Sequence, residues 1–464
     1  MVEPHFVILG GGPAGCGAAY QLRRQEKGRV TLVEQSEVLG GNAGSFEVNG
    51  IHLDYGSHRL HSACDPEVLG DIQAMLGDDL AHRERRGRIL LRGKYVQFPL
   101  RAKDLFLRLD RRFALGAGAD MIRRAFVRTD TADDSFASVM LANLGRTICE
   151  HFYFPYARKI WGRPPESLSG IQARKRVTAN SLSKLVKRLG SPLGGGRFYY
   201  PRRGFGQISE AYASQARQLG AEILTGWRVT GIRRNEDERL WKVEIRQENN
   251  SCLLSADHVW STLPINVAAG LMAGAPPDVL SAKIEYRAMV LAYLELGRES
   301  FTNTDAHYFP EEHVRMTRLS EPKNYFGAPA QSNRTFLCAE LPCSLSGDLW
   351  TMSDQEIGAV VAEDMRKAGL PLSAPPLQVF TKRLRQAYPI YTIGYEEPLH
   401  LLDAWMQSLP NFVTYGRQGL FAHDNTHHAL FMAYCAVKCV KDGVFDAVQW
   451  RRYREEFATH VVED

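Results

Sequence analysis

Residues 6–22 read FVILGGGPAGCGAAYQL, and this stretch decides the fold. Four apolar residues lead into a glycine cluster, and an alanine-rich segment with a helical pattern follows. Gly10, Gly12 and Gly15 form the pattern G-x-G-x-x-G between the predicted strand and helix. The first glycine permits a tight turn, the second lets the backbone approach a pyrophosphate, and the third lets the helix pack on the strand. The helix N-terminus offers N–H groups and a favourable dipole to that anion. The stretch therefore predicts a bound dinucleotide.

An acidic residue further along supports this interpretation. The segment RVTLVE, residues 29–34, ends in Glu34 at the tip of a second predicted strand. An acid at this spacing binds ribose hydroxyls in dinucleotide-binding folds. The alternative is an ordinary glycine turn that holds no ligand.

The composition is that of an ordinary globular protein. The chain has 464 residues, of which 44% are hydrophobic and 23% charged, and this length suggests two or three domains. No apolar run reaches the roughly 18 residues that a membrane span needs, and the early predicted strand leaves no room for a targeting segment. The eight cysteines are scattered without a CxxC pair. These features predict a cytoplasmic protein with reduced thiols rather than disulfides or a zinc site.

The positive charge of the chain is concentrated in one region. The formal net charge is +5, and much of the excess lies between His82 and Arg128. This excess is interpreted either as a solvated helical face or as a surface that attracts an anionic substrate such as a nucleotide sugar. Nucleic acid is not predicted as a partner, because no recognition motif is present.

Predicted strands and helices alternate along the chain. Strands are predicted at 6–9 and 30–34, mainly helix from about 100 to 186, alternating strands between 289 and 379, and a final helix in 427–443. This order predicts an α/β fold with a discontinuous Rossmann-like cofactor domain, an inserted helical domain and an antiparallel β-sheet substrate domain. The predicted boundaries are 1–98, 196–285 and 383–464 for the cofactor domain with its C-terminal helices, 99–195 for the helical insertion and 286–382 for the substrate sheet.

The segment after Glu34 favours FAD over NAD. Residues 33–62, VEQSEVLGGNAGSFEVNGIHLDYGSHRLHS, place a double glycine after the acid and DYGSH beyond a hairpin-like segment. Together with GAEILTGWRVTGI at 220–232 and ADHVWSTLP at 256–264, this pattern resembles the flavoprotein amine-oxidase superfamily. A second G-x-G-x-x-G motif is absent from the sequence. We therefore expect NAD(P)H to bind only transiently, as a reductant.

The resemblance implies a set of cofactor-binding residues. The closing flavin motif of the superfamily is similar to YGRQGLFAHDNTHHALF at 415–431, and Val229 falls where the superfamily holds the adenosine end through backbone bonds. The residues expected to bind FAD are Gly10, Gly12, Pro13, Ala14, Gly15, Glu34, Gly40, Gly41, Asn42, Gly56, Ser57, His58, Val229, Gly416, Arg417 and Asn425.

Four further segments narrow the resemblance to one family. They are FYFPYARKIWGRPPESLSGIQARKRVTANSL at 152–182, GGGRFYYPRRGFGQISEAYA at 194–213, HYFPEEHVRMTRLSEPKNYF at 307–326 and RLRQAYPIYTIG at 383–394. In this order they resemble UDP-galactopyranose mutases, especially the eukaryotic type. Those enzymes interconvert the pyranose and furanose rings of a nucleotide sugar without net redox change, through an adduct between the sugar and N5 of the reduced flavin. The resemblance implies the same activity and the need for reduced FAD.

The family must hold a diphosphate leaving group, and the resemblance assigns residues to this task. A guanidinium is always charged and offers forked donors that suit phosphate oxygens. The expected diphosphate ligands are Arg318 and Arg176, with Arg174 in reserve and Tyr388 as a hydroxyl donor. Tyr325 is a weaker candidate. For each of them the alternative is an ordinary surface or core residue.

Two residues are expected beside the flavin ring. Trp161 falls where the family has a tryptophan near the sugar, although a lone tryptophan usually packs in a core. His58 falls where the family has a histidine against the ring. It is expected to act near N5 by hydrogen bonding or by reshaping a loop, and a role as proton shuttle follows from the neutral titration range of imidazole.

The closing motif departs from the mutases. They have a tyrosine near His423 and an acid near His427, whereas this chain has His423, His427 and His428. His423 therefore takes the place of a diphosphate contact, and a different nucleotide, sugar or reaction is left open. A metal site is not predicted, because no set of carboxylates or cysteines visibly converges with these histidines.

Three hypotheses follow. The first is an FAD-dependent, mutase-like enzyme that acts on a nucleotide sugar. The second is an FAD-dependent oxidase or dehydrogenase of the amine-oxidase superfamily that acts on an amine, an alkene or a sugar carbon. The third is a flavoprotein that binds a ligand without turnover. The nucleotide, the sugar and the oligomeric state are left open.

Overall fold

The computed structural model describes residues 3–98, 111–126, 134–175, 196–327 and 333–462. Within these ranges the strands are, in chain order, β1 His5–Leu9, β2 Arg29–Val33, β3 Ser45–Val48, β4 Ile51–Asp54, β5 Leu60–His61, β6 Leu80–Glu84, β7 Gly87–Leu91, β8 Lys94–Phe98, β9 Arg197–Pro201, β10 Glu222–Leu224, β11 Arg228–Asn235, β12 Leu240–Gln247, β13 Asn250–Ala256, β14 His258–Ser261, β15 Glu285–Leu296, β16 Ala306–Tyr308, β17 Arg318–Ser320, β18 Thr335–Cys343, β19 Gln378–Ile390, β20 Phe412–Thr414, β21 Val440–Lys441 and β22 Val444–Phe445.

The helices connect these strands or lie beside them. In chain order they are α1 Pro13–Arg24, α2 Pro66–Leu76, α3 Arg111–Phe126, α4 Phe136–Leu144, α5 Arg146–Ile148, α6 Phe154–Trp161, α7 Gly170–Arg174, α8 Gln207–Gln218, α9 Ile265–Leu271, α10 Pro277–Ser281, α11 Lys323–Phe326, α12 Asp348–Thr351, α13 Asp354–Lys367, α14 Glu396–Ser408, α15 Gly416–Gly419, α16 Thr426–Lys438 and α17 Ala447–Ala458.

A parallel five-stranded sheet forms the centre of the cofactor domain. Its strand order is β10-β2-β1-β14-β20, and all four pairings are parallel. Successive side chains of a strand point to opposite faces. In β1, Phe6 and Ile8 accordingly pack with α1, α8 and α16, whereas Val7 and Leu9 pack with β11–β13, α9 and α14 on the other face. Both faces are covered, which explains the continuous apolar run that opens the chain.

A seven-stranded sheet forms the second layer. Its order is β19-β15-β18-β17-β16-β7-β8, and β16 pairs with β7 in parallel while the other pairings are antiparallel. Every residue of β18 is buried, because α13 covers one face of this sheet and the β3–β4 hairpin packs against the other. The helices α3 to α7 pack around Phe136, Phe152 and Trp161 against the β7–β8 end.

The predicted fold class is confirmed. The chain has a parallel cofactor-binding sheet assembled from discontinuous segments, a helical insertion and a largely antiparallel second sheet. The strands predicted at 6–9 and 30–34 correspond to β1 and β2, and the final predicted helix corresponds to α16. The predicted domain boundaries stay predictions. Within the part predicted as cofactor domain, however, β7 and β8 join the seven-stranded sheet.

Two local interpretations were wrong. The basic run that begins at His82 forms the strands β6, β7 and β8 up to Phe98, so this part is not a helical face. The region 289–379 also contains the helix α13, whose Ser353 side chain accepts a hydrogen bond from the backbone of Glu356 at its N-terminus. None of the helices in the described ranges combines the length and the apolar character that crossing a bilayer requires.

Candidate active site

A large cavity opens at the carboxyl ends of the parallel strands β1, β2 and β14, where ligands bind in open α/β sheets. Its volume is about 970 Å³, which is at the upper end of the range for cofactor and small-molecule sites. One part of the lining comes from the cofactor domain, including Gly10, Gly12, Glu34 and Asn42. Another part comes from the second sheet and the helical insertion, including Phe98, Phe152, Tyr153, Tyr156, Trp161 and Arg318.

The three glycines of the first motif play three different steric roles. Gly10 has a φ of +102°, and its N–H donates to the carbonyl of Val33 at 2.8 Å. A Cβ at Gly12 would meet no atom within 4 Å, so the space in front of α1 is open to a ligand. A Cβ at Gly15 would lie 1.9 Å from the carbonyl oxygen of Gly10, because the helix packs directly on the turn. This is the geometry that an approaching pyrophosphate needs.

Glu34 is held at the mouth of this turn by two backbone donors. Its Oε2 accepts a hydrogen bond from the N–H of Gly11 at 2.7 Å, and its Oε1 accepts one from the N–H of Ser36 at 2.8 Å. The carboxylate also lines the cavity. Because each carboxylate oxygen has a further lone pair, Glu34 can still accept hydrogen bonds from ribose hydroxyls.

The double glycine closes the other side of the turn. Gly40 and Gly41 have φ values of +107° and +52°, and the N–H of Gly40 donates to the carbonyl of Gly11 at 2.8 Å. Asn42 follows and donates through Nδ2 to the carbonyl of Gln386 at 3.1 Å. The segment thereby ties the glycine turn to β19.

The closing motif brings a second helix N-terminus to the cavity. Asn425 and the first residue of α16, Thr426, line it. Gly416 has a φ of +75°, and a Cβ there would lie 2.8 Å from Cβ of Ala14, so close packing against α1 favours glycine at this position. Arg417 lines the cavity and donates through Nη2 to the carbonyl of Ala387 at 2.9 Å.

Cations outnumber acids in the described lining. The arginine and lysine side chains there are Arg59, Arg85, Arg197, Arg318, Lys382, Arg383, Arg385 and Arg417, whereas the acids are Glu34 and Asp424. Such a surplus suits ligands with phosphate groups. Together with the open glycine turn and the fixed Glu34, it fits a dinucleotide such as FAD, whose pyrophosphate the turn before α1 would hold and whose ribose Glu34 would bind.

His58 lies in this lining as a neutral imidazole. Burial lowers its pKa to about 4, and the nearby charges of Arg318 and Arg417 act in the same direction. Its Nε2 lies 2.9 Å from the carbonyl oxygen of Tyr55, so this nitrogen is assigned as the protonated donor. The ring also stacks on Phe205 with 5.3 Å between centroids. A neutral, anchored ring suits hydrogen bonding better than proton transfer at neutral pH.

Arg318 reaches the cavity from the second sheet. Its Nη1 donates to the carbonyl of Ser57 at 3.2 Å, and its Nε forms an ion pair with Glu340 at 3.3 Å. The other carboxylate oxygen of Glu340 accepts a hydrogen bond from the N–H of Ser57 at 2.8 Å. The guanidinium lies over the ring of Tyr308, 5.3 Å from its centroid. The structure therefore holds Arg318 beside the Ser57–His58 loop.

An aromatic group lies beside Arg417. Trp161 lines the cavity, and the His423 ring lies 6.4 Å from Trp161 and 5.5 Å from Tyr388 between centroids. The guanidinium of Arg417 lies over the ring of Tyr388 at 5.3 Å. Tyr388 and His423 lie behind the cavity lining. They pack against Arg417 and Trp161, which belong to that lining. Direct substrate contact by His423 would need a rearrangement, since its ring is buried.

Tyr325 lies one layer behind the cavity. Its hydroxyl hydrogen-bonds the hydroxyl of Ser57, and the guanidinium of Arg59 lies over its ring at 4.8 Å. It therefore supports Ser57 and Arg59 and does not line the cavity.

Several predicted site residues are not brought to the cavity lining. Arg174 forms an exposed two-point ion pair with Asp134, at 2.7 and 2.8 Å, and does not belong to the cavity lining. Val229 packs in the core beside Trp241. Gly15 and Gly56 do not belong to the cavity lining. Arg176 lies outside the described residues.

Three histidines, His427, His428 and His460, cluster with Asp424 at one rim. His460 Nδ1 lies 3.1 Å from the carboxylate of Asp424, and the His428 and His460 rings stack with 4.2 Å between centroids and 16° between planes. The Lys175 ammonium lies 3.9 Å from Asp424, and with the His460 hydrogen bond it outweighs burial and lowers the pKa of that carboxyl. Contrary to the expectation that no carboxylate converges with these histidines, one oxygen of Asp424 and one ring nitrogen each of His428 and His460 lie within 4.8 Å of one another. The lone pairs of ring nitrogens lie in the ring planes, however, so the two stacked rings do not direct them at one ion. We interpret the cluster as ring packing and ion pairing.

The sequence did not single out several residues of the lining. Arg59 directly follows His58, and Arg85 belongs to the basic run whose second interpretation was attraction of an anion. Tyr308 lies in the segment HYFPEEHV but carries no pattern of its own. Phe152 and Tyr153 lie in a π-helical turn, Cys149–Tyr153, which is a common distortion near functional sites.

Comparisons with known proteins agree with this architecture. The reduced UDP-galactopyranose mutase has a similar structure, with a TM-score of 0.79 and 20% identity over 95% of this chain and 94% of that one. A protein of Exiguobacterium sp. 255-15 proposed to be a protoporphyrinogen oxidase has a TM-score of 0.73 and 19% identity over 94% and 98% of the two chains. At such identities the similarity shows the fold alone.

Sequence comparison gives the family. A phytoene dehydrogenase of Streptomyces griseus is 38% identical over 79 residues, and this match spans 17% of the chain but only 15% of the dehydrogenase. The model of the flavin containing amine oxidoreductases matches residues 13–431. Because that match covers most of the 464 residues, the protein belongs to the flavin containing amine oxidoreductase family, and its cofactor is a flavin.

Proposed function

We propose that the protein is a mutase-like enzyme that rearranges a nucleotide sugar without net redox change and requires reduced FAD. The observation that carries this proposal is the position of Arg318. Its guanidinium lies in the cavity lining, fixed to Glu340 and to the carbonyl of Ser57, the residue before His58. A flavin oxidase has no need of a fixed guanidinium at this point, whereas a diphosphate leaving group does.

The surrounding residues support specific tasks in this reaction. Arg318 would bind the diphosphate when it leaves and keep it for its return, and Trp161 would cover the sugar. His58 would orient a polar group through its ring nitrogen. The aromatic side chains Phe98 and Tyr156 would exclude water from the reacting sugar. When bound, reduced FAD supplies the electron-rich centre that this chemistry requires.

The test uses the reduced protein and a panel of nucleotide sugars. Dithionite-reduced enzyme is incubated with UDP-, GDP- and TDP-hexoses, and the furanose products are separated chromatographically. We expect conversion of at least one substrate, with no consumption of oxidant and no activity after reoxidation of the flavin. An intact reduced flavin without turnover across the panel would contradict the proposal.

A second candidate is an FAD-dependent oxidase or dehydrogenase. The family is one of amine oxidoreductases, and the relatives include a phytoene dehydrogenase. The apolar wall of Phe98, Phe136, Phe152 and Trp161 also suits a hydrophobic substrate. This candidate predicts that an amine or alkene alone reduces the flavin, followed by oxygen uptake or transfer to another acceptor. Anaerobic flavin bleaching by substrate distinguishes it from the mutase.

A further inference from the structure

Three arginines from separate parts of the chain surround Tyr308. Nη1 of Arg59 lies 3.3 Å from the tyrosine hydroxyl oxygen, and Nη2 of Arg85 lies 3.0 Å from it. Arg318 lies over the ring face. Arg59, Arg85 and Tyr308 all line the cavity. Because both guanidinium groups lie within hydrogen-bond distance of the Tyr308 hydroxyl oxygen, one small ligand beside that hydroxyl could contact both of them.

The charge of Arg59 is not balanced by a contacting carboxylate among the described residues. Its guanidinium packs against the rings of Phe198 and Tyr325, at 5.3 and 4.8 Å from their centroids. In the described ranges its Nε and Nη2 are shielded from water and have no hydrogen-bond partner. The acid that acts on it is Asp305, whose carboxylate accepts a hydrogen bond from the backbone N–H of Arg86 at 2.7 Å. Aromatic faces compensate a desolvated cation only in part.

Arg85 adds a second desolvated guanidinium. It is 7% exposed, and it lies over the ring of Phe98 at 4.8 Å. Arg318 is close enough to Arg59 to repel its charge, but Arg318 is paired with Glu340 and directed to Ser57. Like charges this close destabilise one another. An oxyanion between Arg59 and Arg85 would offset the charges of both guanidinium groups and accept forked hydrogen bonds from them.

We propose that Arg59 and Arg85 form an oxyanion subsite beside Tyr308, distinct from the Arg318 site, that receives an acidic group on the reacting half of the substrate. That group is either a carboxylate or a phosphate ester. The identity of the other half as a nucleoside diphosphate rests on the proposed function. The substrate class is then a nucleotide sugar whose sugar is itself acidic.

The experiment measures ligand binding to the full-length flavoprotein by the change in flavin absorbance. UDP-glucose and UDP-glucuronate form one pair of ligands that differ in a carboxylate, and acetate and inorganic phosphate are titrated separately. The variants are Arg59→Met and Arg85→Met. Arg233→Met serves as the control, because Arg233 is an exposed strand residue paired with Glu244.

For a carboxylate ligand we expect UDP-glucuronate to bind about tenfold or more tighter than UDP-glucose, as a charge-assisted contact allows. This preference should vanish in both subsite variants and persist in Arg233→Met. For a phosphate ester, UDP-glucuronate shows no preference but inorganic phosphate gives a saturable change that requires Arg59 and Arg85. The proposal is overturned if neither anion shows a response that depends on Arg59 and Arg85.

Two further readouts separate the subsite from the proposed function and from a purely structural role of Arg59. If neither UDP-sugar binds, the proposed function fails, and the acetate and phosphate titrations alone decide the subsite. A purely structural role predicts that Arg59→Met lowers the Tm. The subsite predicts that the Tm of the ligand-free protein does not fall, because the variant removes a desolvated cation that contacts no carboxylate among the described residues.

Discussion

The carboxylate of Glu340 lies 3.3 Å from Nε of Arg318. Glu340 lies on β18 and Arg318 on the neighbouring β17, and the same carboxylate accepts a hydrogen bond from the N–H of Ser57. The pair therefore joins the second sheet to the loop that carries His58. It fixes the guanidinium relative to the flavin-binding half of the cavity.

Replacement of Arg318 by lysine tests this arrangement. Lysine keeps a charge for Glu340 but lacks the forked donors, so the affinity for UDP-galactose or another bound nucleotide sugar should fall about 10- to 100-fold. The measurement is a flavin-absorbance titration, and the Tm of the variant checks that the fold is intact. An unchanged affinity would place the diphosphate elsewhere.

Replacing Gly12 by alanine should weaken flavin binding, whereas replacing Gly15 by alanine should destabilise the fold. Gly12→Ala adds a methyl group to open space, so the Tm of flavin-free protein should not change while flavin content falls, because the pyrophosphate loses its close approach. Gly15→Ala places a Cβ against the Gly10 carbonyl and should destabilise the fold by about 2–4 kcal/mol. Flavin-to-protein absorbance ratios and Tm values separate the two outcomes. Full flavin content in Gly12→Ala would contradict the proposed cofactor position.

The ionisation of His58 should not affect the protein near neutral pH. Its pKa is lowered to about 4 by burial, so the ring stays neutral between pH 5.5 and 8 (about 1.5 units above its pKa and more). Between pH 5.5 and 8 the flavin spectrum and the activity of the wild type and of His58→Gln should therefore depend on pH in the same way. A transition in this range that is present in the wild type alone would show that His58 takes up a proton there.

The buried His307 should make the fold sensitive to acid. Burial lowers its pKa to about 4, below the ordinary value of about 6.5 in the unfolded chain. The unfolded state therefore binds more protons between these values, and stability falls as the pH decreases from about 6.5 towards 4. By pH 5 this group should cost about 2 kcal/mol relative to pH 8. In denaturant unfolding, His307→Gln should lose less stability between pH 8 and pH 5 than the wild type, and an equal loss would contradict this assignment.

The geometry of the glycine turn could be predicted from the sequence because its signals are local. The glycine turn, the acid at the end of β2 and the double glycine are each encoded within a few neighbouring residues. Their steric requirements are independent of the rest of the chain. The predicted roles of Gly10, Gly12 and Gly15 correspond to the contacts that the structure gives them.

The substrate half could not be predicted to the same degree. Arg174 and Arg318 both lie in segments that resemble mutase motifs, but one is an exposed partner of Asp134 and the other reaches the cavity. The pairing of β17 with β18 places Arg318 beside Glu340 at the cavity, and no local pattern in the sequence encodes that pairing. Arg59 and Arg85 belong to no sequence motif. Their side chains lie beside the same hydroxyl because β5 and β6, which adjoin them in the chain, both pair with β9.

By itself the sequence determined the fold class and the kind of cofactor, because apolar periodicity and glycine spacing act over short distances along the chain. The tertiary structure alone decided which arginine side chains are desolvated and line the same cavity. Desolvation and charge convergence depend on strands that are brought together from distant parts of the chain, and no local pattern encodes that meeting.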